Sequence, residues 1–223
     1  MQGARINKLL IGGGIAAAVM LAVVATLFYG SFKKHGLESK SVSHVATATS
    51  RLQEGLALPL EAQGTAGALE EHTKAVAQLI ESLKREDAQR NRALADAAEL
   101  YLVDAQAILR NRGNAARARG AALASRRALT GHIAAAGDRG QGWIQNALAL
   151  KKRAERDSFD YRNALATYAG LLQSHRDTQE KVRAVRPGVR LLEDAQVQAA
   201  LKAAREAEQQ AVADLERLRA MVI

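Results

Sequence analysis

An uncharged apolar run near the N-terminus constrains this chain more than any other feature. It extends from Leu9 to Tyr29 and contains no Asp, Glu, Lys or Arg. At roughly 1.5 Å of rise per residue, a helix of this length reaches about the 30 Å needed to cross the hydrocarbon core of a bilayer. The run therefore predicts a transmembrane helix over residues 9–30, preceded by a short basic tail over residues 1–8.

Positive charge lies on both sides of the predicted span, with Arg5 and Lys8 before it and Lys33 and Lys34 after it. This symmetry makes the positive-inside rule nearly uninformative. A short tail and a long downstream body are typical of an uncleaved signal anchor, which predicts a single-pass protein of the bacterial inner membrane with a periplasmic body. A cleaved signal peptide is the alternative, because residues 23–25 offer small side chains at a spacing suited to processing.

Small residues recur at intervals of four within the predicted span. This spacing lets two helix backbones approach closely, so the face is a candidate for pairing in the membrane, although glycine and alanine are also common in spans that do not pair. The candidate packing residues are Gly12, Gly13, Gly14, Ala16, Ala17, Ala18 and Ala22.

Helix-forming residues dominate the rest of the chain. Only two prolines occur and aromatic residues make up 4% of the sequence, which favours helices over strands. The sequence predicts an all-α fold, with a juxtamembrane helix and hinge over residues 31–67 and an elongated antiparallel bundle or coiled coil over residues 68–223. Since alanine-rich helices bury little area each, we expect long helices or homo-oligomerisation.

Apolar periodicity and turn residues divide this body into helices. One long helix is expected before residues 111–114, whose sequence NRGN predicts a turn. Two apolar seams with seven-residue spacing lie within that helix, and an eleven-residue step from Leu83 to Leu94 separates them. The first seam is Leu69, Val76 and Leu83, and the second is Leu94, Tyr101 and Ile108. Capping-box spacing occurs at Ser50 with Gln53 and at Asp138 with Gln141. The predicted helices cover residues 39–58, 68–110, 115–136, 143–185 and 191–222. Within the second of them, the charged stretch over residues 84–92 is expected to face solvent. Apolar lines run along the last two, one from Ala147 to Val182 with Lys151 and His175 as polar intruders, and one from Val197 to Val222.

Motifs for catalysis or metal binding are missing from the sequence. It contains no cysteine, and Leu69 and Leu172 stand three residues before His72 and His175, where a di-iron bundle would need glutamate. Phosphate-binding glycine loops after a strand and the hydrolase and zinc-protease motifs do not occur. We therefore predict a protein that is not an enzyme and has neither a cofactor nor a metal site.

The chain carries a net charge of +9, and its basic residues are unevenly distributed. No acidic residue occurs between Asp104 and Asp138, whereas six arginines do. Guanidinium groups bind carboxylate and phosphate in a bidentate manner, so this segment is a candidate patch for a partner or a polyanion. Pairing with acidic faces of neighbouring helices is the alternative. The arginines are Arg110, Arg112, Arg117, Arg119, Arg126 and Arg127.

These features predict a membrane-anchored helical scaffold or accessory subunit of a bacterial envelope complex. Its expected partners are membrane lipid, other protein subunits and a second copy of the chain. Nucleic acid is not expected, because the arginine segment lacks interleaved aromatic residues. The alternatives are a membrane-tethered polyanion-binding protein and an extracytoplasmic ligand-sensing bundle with a pocket near Trp143, Tyr161 and Tyr168.

Overall fold

The computed structural model describes residues 40–86, 92–135, 137 and 139–223. Over this part of the chain the protein is built from five helices and contains no strand. Among the described residues, no helix combines the length and apolar character needed to cross a membrane. The predicted span over residues 9–30 and its candidate packing face lie outside the described residues. The helices are α1 (residues 40–57), α2 (Thr65–Glu86), α3 (Arg92–Ala134), α4 (Gln141–Val185) and α5 (Asp194–Ala220).

Two long helices, α3 and α4, form the central hairpin of the molecule. Side-chain contacts show that they are antiparallel, because residues early in α3 contact residues late in α4 and residues late in α3 contact residues early in α4. Asp104 bonds to His175, and Arg126 bonds to Ser158. With 43 and 45 residues, each helix is about 65 Å long at 1.5 Å of rise per residue. The elongated body expected from the sequence therefore comes from this hairpin.

The other helices cover the hairpin unevenly. Helix α5 runs antiparallel to α4 along most of its length, since Arg205 bonds to Gln173 near one end and Lys151 bonds to the carbonyl of Arg219 near the other. Helices α1 and α2 pack only on the part of the hairpin next to the α4–α5 turn. We call this five-helix part the base, and we call the remaining three-helix part, formed by α3, α4 and α5, the distal part.

A continuous apolar core fills the base. Both predicted seams are buried there, Leu69, Val76 and Leu83 on α2 and Leu94, Tyr101 and Ile108 on α3, each no more than 6% exposed. The seam predicted for α4 is also buried, and His175 lies within it as a fully buried polar residue. The apolar line predicted for the last helix is buried from Val197 to Leu218, but Val222 is 94% exposed because it follows the end of α5.

The predicted helix over residues 68–110 is wrong, because the chain reverses within it. Helix α2 ends at Glu86, α3 begins at Arg92, and the two pack side by side in opposite directions. Lys84 lies 3.6 Å from Glu99, and Glu70 lies 3.9 Å from Arg117. The eleven-residue step therefore separates two helices that pack against each other.

The predicted turn at residues 111–114 is also wrong, since α3 continues through it without interruption. Gly113 is buried at the contact with α2, where a Cβ atom would lie 3.6 Å from the Cβ of Leu69. A small residue here lets the two helices approach, so this glycine serves packing and does not end a helix.

The capping box predicted at Ser50 does not begin a helix, and the one predicted at Asp138 includes a residue outside the described part of the chain. Ser50 lies inside α1, where its hydroxyl donates to the carbonyl of Ala46. Helix α4 is capped by Gly140, and Asp138 lies outside the described residues. A capping box instead begins α5, with reciprocal bonds between Glu193 and Gln196.

Candidate anion-binding groove

A groove of about 470 Å³ lies between α3, α5 and the α1–α2 turn, where the base meets the distal part. Three arginines of the predicted patch line it, Arg112, Arg119 and Arg126. They lie seven residues apart on an uninterrupted helix and so share one face of α3. The α1–α2 turn, Tyr161 of α4 and a row of alanines on α5 complete the walls. We call this feature the arginine groove.

Arg112 is the most unusual residue of the groove, because its charged side chain is only 7% exposed. One terminal nitrogen donates to the hydroxyl of Tyr168 at 2.8 Å, and the other donates to the backbone carbonyl of Leu58. Its Nε is buried and has no hydrogen-bond partner. A guanidinium has five N–H donors, so three of them are not engaged.

The charge of Arg112 has no carboxylate partner in the part of the chain that the structure describes. Among the described residues, no Asp or Glu oxygen lies within 4 Å of its nitrogens, and both of its acceptors are neutral. The guanidinium carbon lies 5.5 Å from the ring centre of Tyr168, which provides a cation–π contact of about 0.5–2 kcal/mol. A buried charge without a counterion costs several kcal/mol, more than this contact offsets. The site is therefore suited to an anion.

The other two arginines of the groove have partners within the protein. Arg126 donates to Asp214 of α5 at 2.6 Å and lies 3.4 Å from the hydroxyl of Ser158. Arg119 lies beside Tyr161, where burial raises the pKa of the phenol and the nearby guanidinium opposes that rise. Pairing with acidic neighbours, the alternative considered for the arginine segment, therefore accounts for Arg126 but not for Arg112.

Tyr168 holds Arg112 in place from the opposite helix. Its side chain is fully buried in α4, and burial raises the pKa of its hydroxyl although the Arg112 guanidinium acts against the rise. The phenol therefore stays protonated at neutral pH. A protonated hydroxyl accepts from Arg112 without neutralising it, so the full positive charge remains available to a ligand.

A second cavity of about 360 Å³ adjoins the first at Arg112. Both cavities share Leu56, Ala57, Arg112 and Ala203 as lining residues. The second one extends between α1 and α5, and its additional lining is mainly apolar. These additional residues are Gln53, Leu192, Gln196, Ala199 and Ala200. Both volumes lie within the range of about 300–1,000 Å³ that is typical of small-molecule sites.

The remaining arginines of the predicted patch lie elsewhere. Arg110 and Arg117 line a cavity of about 280 Å³ against α2. Arg117 donates to Asn114 at 2.7 Å, and Glu70 lies 3.9 Å away. Arg127 is exposed and lines a further cavity beside the α1–α2 turn, which shares Leu60, Glu61, Arg119 and Leu123 with the arginine groove. The structure thus divides the six arginines among different faces of α3 and brings three together.

The three aromatic residues proposed to form one pocket are separated. Tyr161 lines the arginine groove and Tyr168 bonds to Arg112, whereas Trp143 lies at the tip of the α3–α4 hairpin. There its ring stacks on His132 with centroids 5.1 Å apart, and Arg139 lies over its ring. Two of the residues considered for ligand sensing therefore adjoin the arginine groove, and the third belongs to the hairpin tip.

A second polar cluster, which the sequence did not predict, lies in the core of the base. Asp104 accepts from the Nδ1 of His175 at 2.5 Å and from the hydroxyl of Thr178 at 2.7 Å. The ring of Tyr101 lies 5.2 Å from that of His175, and its hydroxyl lies 2.8 Å from that of Thr49. The cluster joins α1, α3 and α4, and none of the cavities described above is lined by these residues. The only sequence signal for it was His175 in an apolar seam.

Metal-ligating side chains do not converge within the part of the chain that the structure describes, where no three His, Asp or Glu residues could hold an ion together. Outside the core cluster, a histidine approaches a carboxylate at His72, whose Nδ1 lies 3.7 Å from an oxygen of Glu54.

The fold and the groove define an elongated helical bundle with a buried, unneutralised arginine at the junction of two cavities. Comparison of the chain with protein-family models, with curated proteins and with solved structures finds no match in any of the three.

Proposed function

We propose that this chain is a non-enzymatic, membrane-anchored helical scaffold that binds an anionic group of a partner or ligand in the arginine groove. The single observation that supports this proposal is Arg112, a guanidinium that is 7% exposed. Among the residues that the structure describes, its Nε has no hydrogen-bond partner and its charge has no carboxylate partner. A carboxylate or phosphate placed in the groove would supply the missing counterion and accept the unused N–H donors.

The position of the groove supports a scaffold role. It lies near the middle of α3, where the base gives way to the distal part, so a ligand there would contact α1, α3 and α5 together. The hairpin extends about 65 Å, which gives the body the reach to hold partners at a distance from its anchor. Residues 9–30 are the proposed anchor, with the body on the periplasmic side of a bacterial inner membrane.

Titration of the full chain with inorganic phosphate at constant ionic strength tests the binding site. Isothermal titration calorimetry of the protein in a non-ionic amphipol should give saturable binding, and Arg112→Gln should weaken it by about tenfold or more, since a charge-assisted hydrogen bond contributes about 1.5–3 kcal/mol. Arg110→Gln removes the same charge from an exposed position of the same helix and should change the affinity less than twofold.

Equal affinities of the two variants would refute a site at Arg112 and would favour a diffuse interaction with the six arginines. Phosphate also stabilises proteins unspecifically, because it is excluded from their surfaces. This effect would be the same in the wild type, Arg112→Gln and Arg110→Gln, so it would not produce a difference between them.

Membrane fractionation tests the proposed anchor. The full chain should remain with membranes after alkaline carbonate extraction, and deletion of residues 1–30 should release it. A full chain that is extracted as readily as the deletion variant would contradict the anchored part of the proposal and leave the groove unaffected.

A further inference from the structure

The second cavity next to Arg112 differs in chemistry from the arginine groove. Six of its nine lining residues are Leu or Ala, and its polar ones are Gln53, Gln196 and Arg112 itself. The alanines on α5 leave the space between α1 and α5 open, because a methyl side chain fills little of it. Arg112 is therefore a single charge at the end of an apolar slot.

The opposite end of the arginine groove is already occupied by negative charge. Asp214 is bonded to Arg126, and Glu61 also lines the groove. A ligand with several negative groups would meet these carboxylates at close range. The distribution of charge therefore favours a ligand with one anionic head.

We infer that the site takes an amphipathic monoanion, with its head on Arg112 and an alkyl chain in the apolar slot between α1 and α5. This inference rests on the proposed function, because it requires the anion site at Arg112. The head accepts from the free Nε–H and the unused terminal N–H groups, while the chain lies against Leu56, Ala200 and Ala203. A carboxylate and a phosphate head share this chemistry.

A chain-length series tests the inference on the full chain in a non-ionic amphipol. Butyrate, hexanoate and octanoate are titrated by calorimetry, and octyl methyl phosphate, a diester with a single negative charge, is compared with octanoate to distinguish the two heads. Burial of a methylene is worth about a fourfold gain in affinity, so octanoate should bind at least about tenfold more tightly than butyrate even if only part of the added chain is covered. Neutral octanol should bind far more weakly than octanoate.

Variants in α5 separate the slot from unspecific partitioning into amphipol. Ala199→Leu fills the slot and should bring octanoate to within about threefold of butyrate. Ala195→Leu adds the same side chain to an exposed position of the same helix that lines neither cavity, and it should retain the full gain. Both substitutions place a strong helix former in α5, so thermal unfolding followed by circular dichroism should confirm that both variants are folded.

Two results would overturn the inference. If octanoate and butyrate bind the wild-type chain equally while phosphate binding depends on Arg112, the proposed function stands and the apolar slot is not a ligand site. If the gain with chain length survives Ala199→Leu, the alkyl chain lies elsewhere. Absence of any Arg112-dependent binding of phosphate would instead refute the proposed function itself.

Discussion

Single residues in the core of the base combine burial with specific polar contacts between helices. Asp104 accepts from two donors on α4, His175 and Thr178, which fixes the register of α4 against α3. Because a carboxylate only accepts, the Nδ1 of His175 carries the proton, and its buried Nε2 has no partner. Sliding either long helix by one turn would leave these groups unpaired in the core, so the cluster favours one arrangement of the hairpin.

Tyr101 of this cluster predicts a loss of stability at alkaline pH. Burial raises the pKa of its hydroxyl from 10.0 to about 12. Above pH 10 the unfolded chain releases this proton while the folded chain retains it, so stability that is complete below pH 10 is lost as the pH rises toward 12. The contribution is about 2–3 kcal/mol. It should be measurable as the difference between the free energies of unfolding in urea at pH 9 and pH 11.5.

The Tyr101→Phe variant isolates this contribution. It should be about 1 kcal/mol less stable than the wild type at pH 9, because the hydrogen bond to Thr49 is lost, but its stability should fall less on going to pH 11.5. Lysine titration affects both proteins alike and cancels in the comparison. An identical alkaline loss in the two proteins would show that Tyr101 does not keep its proton through burial.

At the scale of elements, helix packing in the base depends on glycine at one close contact. A Cβ atom on Gly55 of α1 would lie 2.3 Å from a methyl carbon of Leu109 and 3.2 Å from one of Leu69. Both leucines are fully buried and have little room to move. Gly55→Ala should therefore destabilise the protein by about 1–3 kcal/mol through overpacking, although alanine is the better helix former.

Gly120 provides the matched control within α3. It is exposed, and an added Cβ atom would meet nothing within 4 Å. Gly120→Ala should therefore stabilise the protein by about 0.5–1 kcal/mol through helix propensity alone. Urea unfolding of both variants measures the pair, and stabilisation by Gly55→Ala would show that α1 is not packed closely against α3.

The helical fold and its buried seams could be predicted from the sequence, but the division of residues 68–136 into helices could not. Seven-residue spacing located the buried seams of α2 and α3 because burial depends on which side chains share a face. The reversal between α2 and α3 was missed, since a charged stretch between two seams is compatible with an exposed helical turn. Conversely, Gly113 resembled a helix stop but is buried by a neighbouring helix, a tertiary contact that local propensity does not contain.

The same error concealed the arrangement of the candidate site. Six arginines could be recognised as a basic segment, yet a turn at residues 111–114 would have placed Arg112 on a different element from Arg119 and Arg126. With α3 continuous, their spacing of seven sets all three on one face. The burial of Arg112 by Tyr168 and the α1–α2 turn involves residues 54 and 56 positions away in the chain, so no local pattern could reveal it.

At the scale of the whole molecule, the core becomes thinner from the base to the hairpin tip. The core of the base is contributed by all five helices and includes large side chains such as Tyr101, Leu109 and Leu172. From the arginine groove to the hairpin tip the buried residues form two small clusters. The first includes Tyr161 and Ala211 of the groove wall, and the last consists of Leu129, Ala154 and Leu218 with partly buried neighbours. Since burial of apolar area is the main stabilising contribution, the distal part should open more readily than the base.

Hydrogen exchange followed by mass spectrometry on the full chain measures this gradient. Amides of α3 near residues 101–109 should exchange at least about tenfold more slowly than those near residues 125–134 of the same helix, because local opening of the tip breaks fewer apolar contacts than opening of the base.

Leu129→Ala should accelerate exchange at the tip and leave residues 101–109 unchanged. Leu109→Ala should accelerate both regions, since the distal part is stabilised by the base from which it extends. Uniform exchange along α3, or an equal response of both regions to Leu129→Ala, would show that the hairpin opens as one cooperative unit. In a graded molecule the arginine groove lies at the boundary between the stable base and the less stable distal part, so a ligand that bridges α1, α3 and α5 there should also slow exchange in the distal segments next to it.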